Sequence, residues 1–274
     1  MRKTVKRVLA SALSLCLLFS LTIPQAMADK IGSLGSNLTW KVQGSTLTIS
    51  GKGAMEEFDS DESPWAAEGI DNCDLKKIVI KEGVTSLCRF AFEGYEGVKS
   101  ISLPKSLKKF GFMALNGTSL KEVSLAKGSK YFSTKGGVLF NRKKTTLVYY
   151  PTRKKGKSYT VPSSVTTIAA GAFSGGAEWM GAWNPYLTQL NLPKKLKKIE
   201  AFAFRWSDIG IFKFPSGNPK IASGAFDGVH ATILYPKKHK KCWTAALKAI
   251  YAGYPSTLEE DEDFERPNLT LKPY

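Results

Sequence analysis

"LPKSLKKF" occupies residues 103–110 and "LPKKLKKI" occupies residues 192–199. Eight residues recur almost unchanged, with lysines in matching places, and the match is the visible part of a longer period. "LKKIVIKEGVTSLCRFAF" from Leu75, "VKSISLPKSLKKFGFMAL" from Val98, "LTQLNLPKKLKKIEAFAF" from Leu187 and "IGIFKFPSGNPKIASGAF" from Ile209 share one register. "KSYTVPSSVTTIAAGAF" (157–173) enters it one residue late. Counting the first residue of each unit as 0, apolar residues recur at offsets 3, 5, 9, 12, 16 and 17. In the unit from Val98 these are Ile101, Leu103, Leu107, Phe110, Ala114 and Leu115.

Offsets 3 and 5 alternate, so they share one face of a short strand. Proline follows that strand in most copies (Pro104, Pro162, Pro193, Pro215, Pro236) and ends it, because it lacks the N–H that a sheet requires. The later apolar positions bring the chain back over the same core, with a small alanine beside a large side chain. A unit of about 22 residues cannot bury that face alone, so neighbouring units must stack into a solenoid. The resulting expectation is a β-rich leucine-rich-repeat solenoid of short parallel strands.

The ends and one interruption complete the plan. Residues 1–28 carry Arg2, Lys3, Lys6 and Arg7, an apolar stretch from Val8 to Ile23, and "AMA" at 26–28. This pattern reads as a secretory signal peptide cleaved after Ala28. Ser11, Ser14, Ser20 and Pro24 make it a poor membrane anchor, and bulky Leu15 before Cys16 disfavours a lipoprotein site. No later stretch is long and apolar enough to span a bilayer. Residues 29–69 are expected to be an N-terminal capping module containing a hairpin over 38–51. The solenoid should run over 70–236, with a hairpin inserted at 137–150. A helical cap is expected at 237–254, where Trp243, Leu247, Ile250 and Tyr251 fall at helical spacing. Residues 255–274, with the acidic run Glu259–Glu265, are expected to form a disordered tail.

Charge and chemistry narrow the function. The formal net charge is +17; loss of the four basic residues before position 8 leaves +13. A basic protein outside the cell is drawn to anionic partners such as wall polymers or sulfated glycans, and the compartment disfavours nucleic acid. Cys73, Cys88 and Cys242 remain after cleavage; they match no disulfide scaffold or zinc site and read as ordinary, mostly buried thiols. There is no nucleophile elbow, HExxH helix or phosphate-cradling loop, so no catalytic residue, metal or cofactor is expected. His230 and His239 read as surface residues. "EEFDSDE" (56–62) lacks the spacing and central glycine of an EF-hand loop.

Two features are suited to binding. Lys105, Lys108 and Lys109 recur as Lys194, Lys197 and Lys198, with Lys195 added, and should form a lysine rail along one flank that suits a repeating polyanion. Arg142, Lys143, Lys144, Arg153, Lys154, Lys155 and Lys157 add charge near the hairpin. The extra stretch "EWMGAWNPY" (178–186) offers Trp179, Trp183 and Tyr186 to a sugar ring or a protein. Offset 4, expected to face the concave side, carries Val79, Ser102, Ser124, Thr160, Asn191 and Lys213.

The units lack the Asn or Cys ladder of common leucine-rich repeats. They resemble instead the BspA-like leucine-rich-repeat family of bacterial secreted and surface proteins, whose units read roughly L-x-x-I-x-I-P-x-x-V-x-x-I-x-x-x-A-F. "LTWKVQGSTLTISGKGAM" with "SPW" (63–65) resembles the family's N-terminal module. "GGVLFNRKKTTLVYYP" (136–151) resembles its inserted hairpin, and "ATILYPKKHKKCW" (231–243) its closing element. The resemblance implies a non-enzymatic, secreted or surface-associated binding or adhesion module. It implies binding of other molecules, including host extracellular-matrix proteins in some members, and together with the lysine and tryptophan features it gives the expectation of a protein or glycan partner. The alternative is an envelope component held electrostatically to anionic wall polymer.

Overall fold

The computed structural model describes residues 29–58, 63–175, 185–252 and 266–274. Each repeat contributes one rung to two strand ladders and a turn that closes the coil. The first ladder stacks Thr46–Gly51, Lys77–Ile80, Ser100–Leu103 and Ser124–Leu125 in parallel. It resumes as Ser158–Thr160, Gln189–Asn191, Ile211–Lys213 and His230–Tyr235. The second ladder, around offset 11, begins with Gly53–Ala54, Val84–Ser86 and a bridge at Lys109. It continues through Thr146–Tyr149, Thr167–Ile168, Lys198–Ile199 and Lys220–Ile221.

The repeat register accounts for the core. Offsets 0, 3, 5, 9, 12, 16 and 17 of the unit from Leu75 are Leu75, Ile78, Ile80, Val84, Leu87, Ala91 and Phe92, and all are buried. Such side chains each stabilise by about 1.5–3 kcal/mol when removed from water. The turn after offset 12 has a fixed backbone. Offset 15 has positive φ in Phe90, Met113, Gly171, Phe202 and Gly224. Gly171 and Gly224 also leave room, since a Cβ there would lie 3.0 Å from Met113 Cγ and 2.6 Å from Phe202 Cε1 respectively.

The N-terminal end is closed by an antiparallel wall. Leu38–Gln43 and Thr46–Gly51 form the expected hairpin, and Lys30–Leu34 adds an outer strand that the alternation from Leu38 did not reveal. A short helix, α1 (Pro64–Ala67), has Ser63 as its N-cap, with Oγ accepting from the Ala66 N–H. Proline suits the first helical position because its missing N–H would have no partner there. The helix buries Trp65 completely, stacked on Phe92 at 5.4 Å and edge-on to Trp40 at 6.5 Å.

The insertion has three strands rather than two: Phe132–Lys135, Val138–Asn141 and Thr146–Tyr149, antiparallel in that order. Val138, Leu139 and Phe140 are all fully buried. A strand can bury consecutive residues only if both faces are covered, and here each face meets a different core. Leu139 joins the N-terminal cluster, and Val138 and Phe140 join the C-terminal one. The insertion is therefore a partition across the solenoid, and its last strand supplies a rung of the second ladder.

At the C-terminus the expected helix is present as α2 (Lys240–Ala252), with Trp243 fully buried and Leu247 and Ile250 packed against the core. The acidic run 259–265 lies outside the described residues. The end of the chain corrects the expectation of a disordered tail. Asn268–Pro273 is a strand paired parallel to His230–Tyr235. Leu269 and Leu271 alternate along it, and Leu269 is buried; the acidic residues upstream mask that short signal. Among the cysteines, Cys88 is buried, Cys242 is half-buried and Cys73 is exposed, against the expectation of burial. Burial, with a smaller contribution from Glu57, pushes the Cys88 thiol up to about 12, so it stays protonated and inert.

Candidate functional site: the lysine and threonine flank

The second ladder positions the lysines. Lys108 and Lys109 both donate their backbone N–H to Thr85 O, and Lys197 and Lys198 both donate to Thr166 O. The identical bonding makes the two lysine pairs structurally equivalent, and all four are exposed. Thr166 and Thr167 donate to Thr145 O in the same manner. The flank thus carries Thr85–Ser86, Lys108–Lys109, Thr145–Thr146, Thr166–Thr167, Lys197–Lys198 and Pro219–Lys220 in order. Two threonine rungs and the break in the ladder between Lys109 and Thr146 separate the lysine groups. The lysines share a column but do not make an unbroken rail. Lys198 is also partly neutralised, with Nζ 2.7 Å from Glu200 Oε1.

Lys105 and Lys194 fall at offset 7, in the bend between the ladders, and Lys195 follows; all are exposed. Arg142, Lys143, Lys155 and Lys157 are exposed, while Lys144, Arg153 and Lys154 are half-buried. Trp179 and Trp183 lie outside the described residues, and Tyr186 is exposed. His230 is exposed at a strand start, and His239 lies half-buried in the 3-10 turn Lys237–His239. Of the acidic loop 56–62, Glu57 accepts from the Arg89 N–H, and residues 59–62 lie outside the described residues. Among the described residues, no group of three or more His, Cys, Asp and Glu could hold a metal, and no helix is long and apolar enough to cross a membrane.

The offset-4 residues align in two runs on the first ladder: Val79–Ser102–Ser124 and Thr160–Asn191–Lys213. Asn191 Nδ2 donates to Thr160 Oγ1 at 3.2 Å and Asn191 Oδ1 accepts from Gln189 at 2.9 Å. The surface is polar and largely self-satisfied.

A polar column is not among the features expected from the sequence. Offset 18 carries Glu93, Asn116, Ser174, Arg205 and Asp227, one per repeat turn. Asn116 donates to Glu93 at 3.0 Å, Ser174 Oγ donates to Arg205 O at 3.1 Å, and Arg205 Nε lies 2.9 Å from Asp227 Oδ2. Asp227 is fully buried, and Arg205 is held between the Phe202 and Trp206 rings, 3.8 Å from the latter's centroid. Burial raises the Glu93 carboxyl above its ordinary value, against the opposing effects of Asn116 and Arg205. Each repeat uses a different residue type here, so only the repeat register, applied to polar residues, would have found it.

The flank, the concave strands and the turn column are all generated by one repeat, and the comparisons identify that repeat. The family described as BspA type leucine rich repeat region matches in six copies over residues 68–176 and 182–242. The chain belongs to this family. Among solved structures, it is similar to a leucine-rich repeat protein from Eubacterium ventriosum ATCC 27560 at 18% identity and TM-score 0.36, covering 77% of this chain and 73% of that one. It is similar to the pneumococcal vaccine antigen PcpA at 17% identity and TM-score 0.41, covering 75% and 81%. A leucine rich cell surface protein from Faecalibacterium prausnitzii A2-165 is similar at 18% identity and TM-score 0.41, covering 60% and 54%. None of these likenesses reaches a TM-score of 0.5, and the family assignment rests on the repeat itself. No curated protein gives a significant match. The class of protein defined here is a repeat-built binding scaffold.

Proposed function

We propose that the protein is a secreted or surface-associated, non-catalytic binding or adhesion module that recognises a protein or glycan partner. The observation that carries this reading is the stacked repeat, which sets equivalent positions of neighbouring turns in line along one surface. Such a surface offers many weak, repeated contacts to an extended partner. The signal-peptide pattern of residues 1–28 supports export, and the family is one of binding scaffolds.

A second reading is favoured by the lysines themselves: electrostatic retention on anionic wall polymer. The two readings separate in one assay, capture of the purified protein by immobilised matrix proteins and by purified wall polymer at low and high salt. Exposed charges are screened over about 8–10 Å at 0.1–0.15 M salt. A matrix or glycan adhesin is expected to keep saturable binding at high salt and to weaken when Trp179 and Trp183 become alanine. Binding to wall polymer alone, lost in salt and in a Lys108/Lys109/Lys197/Lys198→Ser variant, would replace the adhesin reading with the electrostatic one.

A further inference from the structure

The second ladder is open at two places, the first between two rungs and the second at its end. The first lies after the Lys109 rung. There Thr145 and Thr146, at the start of the next rung, take their acceptor from Asn141 Oδ1, at 2.8 and 3.1 Å. That side-chain oxygen substitutes for the carbonyl a preceding rung would supply.

The second opening lies after Lys220–Ile221, where the second ladder ends while the first runs on through His230–Tyr235 and Asn268–Pro273. Lys220 N donates to Lys197 O and Ala222 N donates to Ile199 O. In a parallel ladder the residue between two such bonds turns its own N–H and C=O to the opposite side. Ile221 therefore directs both groups away from Ile199, and among the described residues neither has a partner. Beyond them lies a cleft of about 210 Å³. One wall is the strand edge and turn, with Ile221, Ala222, Ala225 and Phe226; the other is α2, with Ala249 and Ile250. Lys220 lies at its margin, next in column to Lys197 and Lys198.

We propose that this edge accepts an extended acidic peptide segment of a partner protein, which adds as a fifth rung after the four parallel rungs that end at Lys220–Ile221. Strand addition supplies main-chain hydrogen bonds, and a pocket for alternate side chains supplies selectivity. The Ile221 N–H and C=O provide the bonding pair in the register already set by four parallel rungs. A small aliphatic side chain enters between the turn and α2, and the flanking carboxylates face Lys220 and the lysine column. This names the partner chemistry of one surface and rests on the reading of the protein as a binding module.

The probe is the blocked hexapeptide Glu-Val-Asp-Val-Glu-Ile, titrated against the purified protein, with Lys-Val-Lys-Val-Lys-Ile as its charge-reversed counterpart. The acidic peptide is expected to bind saturably and to slow hydrogen exchange at the Ile221 amide. Ala249→Glu, an exposed helix position, should weaken binding by about tenfold or more by placing like charge and bulk in the cleft. Lys220→Glu should weaken it too, and the basic peptide should not bind. Absence of saturable binding would overturn the proposal, as would binding indifferent to Ala249→Glu with Ile221 exchange unchanged. Capture of matrix protein or wall polymer is measured on the same Ala249→Glu protein. Loss of peptide binding alone confirms a separate cleft site. Failure of the peptide with matrix capture intact sinks the cleft and leaves the module standing.

Discussion

The two halves of the solenoid follow the same repeat and fill it differently. In the C-terminal half, offset 17 is a continuous aromatic column: Phe173, Phe204 and Phe226 lie 5.5 and 5.1 Å apart, with Phe212 edge-on to Phe204 at 4.8 Å. In the N-terminal half the same column reads Phe92 then Leu115, and the large aromatics sit at the end, where Trp40 and Trp65 meet the closing wall. The lesson is that the repeat specifies which positions are buried, not which side chains bury them. Volume is balanced locally, within each half, because the insertion separates the two cores.

The sharpest way to break that comparison is at the partition itself. Phe140→Ala is expected to cost about 3–5 kcal/mol and Leu139→Ala about 2–5 kcal/mol. The two should act on opposite halves. By hydrogen exchange, Phe140→Ala should loosen amides around Leu190 and Phe212, and Leu139→Ala those around Ile101 and Val123. Identical exchange maps would show a single cooperative core instead.

The next effect belongs to the C-terminal half alone. Asp227→Ala leaves the Arg205 guanidinium without its fully buried counter-charge, at a cost of about 3–5 kcal/mol. Urea titration should show a lower midpoint, and Asp227→Ala combined with Arg205→Leu should recover part of the loss.

A smaller loss tests the turn between the halves. Gly171→Ala forces a side chain onto a residue with φ +67° and 3.0 Å from Met113 Cγ, at about 1–2 kcal/mol. Thermal unfolding measures it, and a neutral result would mean that the turn relaxes.

The smallest effect is pH-dependent and centred on Glu93 in the N-terminal half. Glu93 has a raised carboxyl pKa, so the folded state binds its proton more tightly than the unfolded chain does. Stability is then lost as pH rises from the unfolded value through the folded one, and the deficit persists at neutral pH. Glu93→Gln should therefore raise Tm slightly at pH 7, with the gain shrinking as pH falls below the ordinary carboxylate range. A gain independent of pH would point to packing rather than charge.

Much of this was legible because a solenoid core is periodic. The offsets counted in the unit from Val98 are buried almost without exception, and Trp243 fixed the capping helix. The closing strand Asn268–Pro273 was hidden because two leucines give too little alternation beside an acidic run. The strand Phe132–Lys135 was hidden for a similar reason, its Ser133 and Thr134 reading as turn residues.

The sequence by itself determined the repeat, its register, the family and the surplus of positive charge, since each depends on residue type and spacing along the chain. Only the tertiary structure decided what lies between equivalent residues. The threonine rungs that divide the lysines, the partition formed by Val138–Phe140 and the open pair at Ile221 depend on where an insertion enters the stack and where a ladder stops. Those are contacts between distant segments, and local pattern carries no information about them.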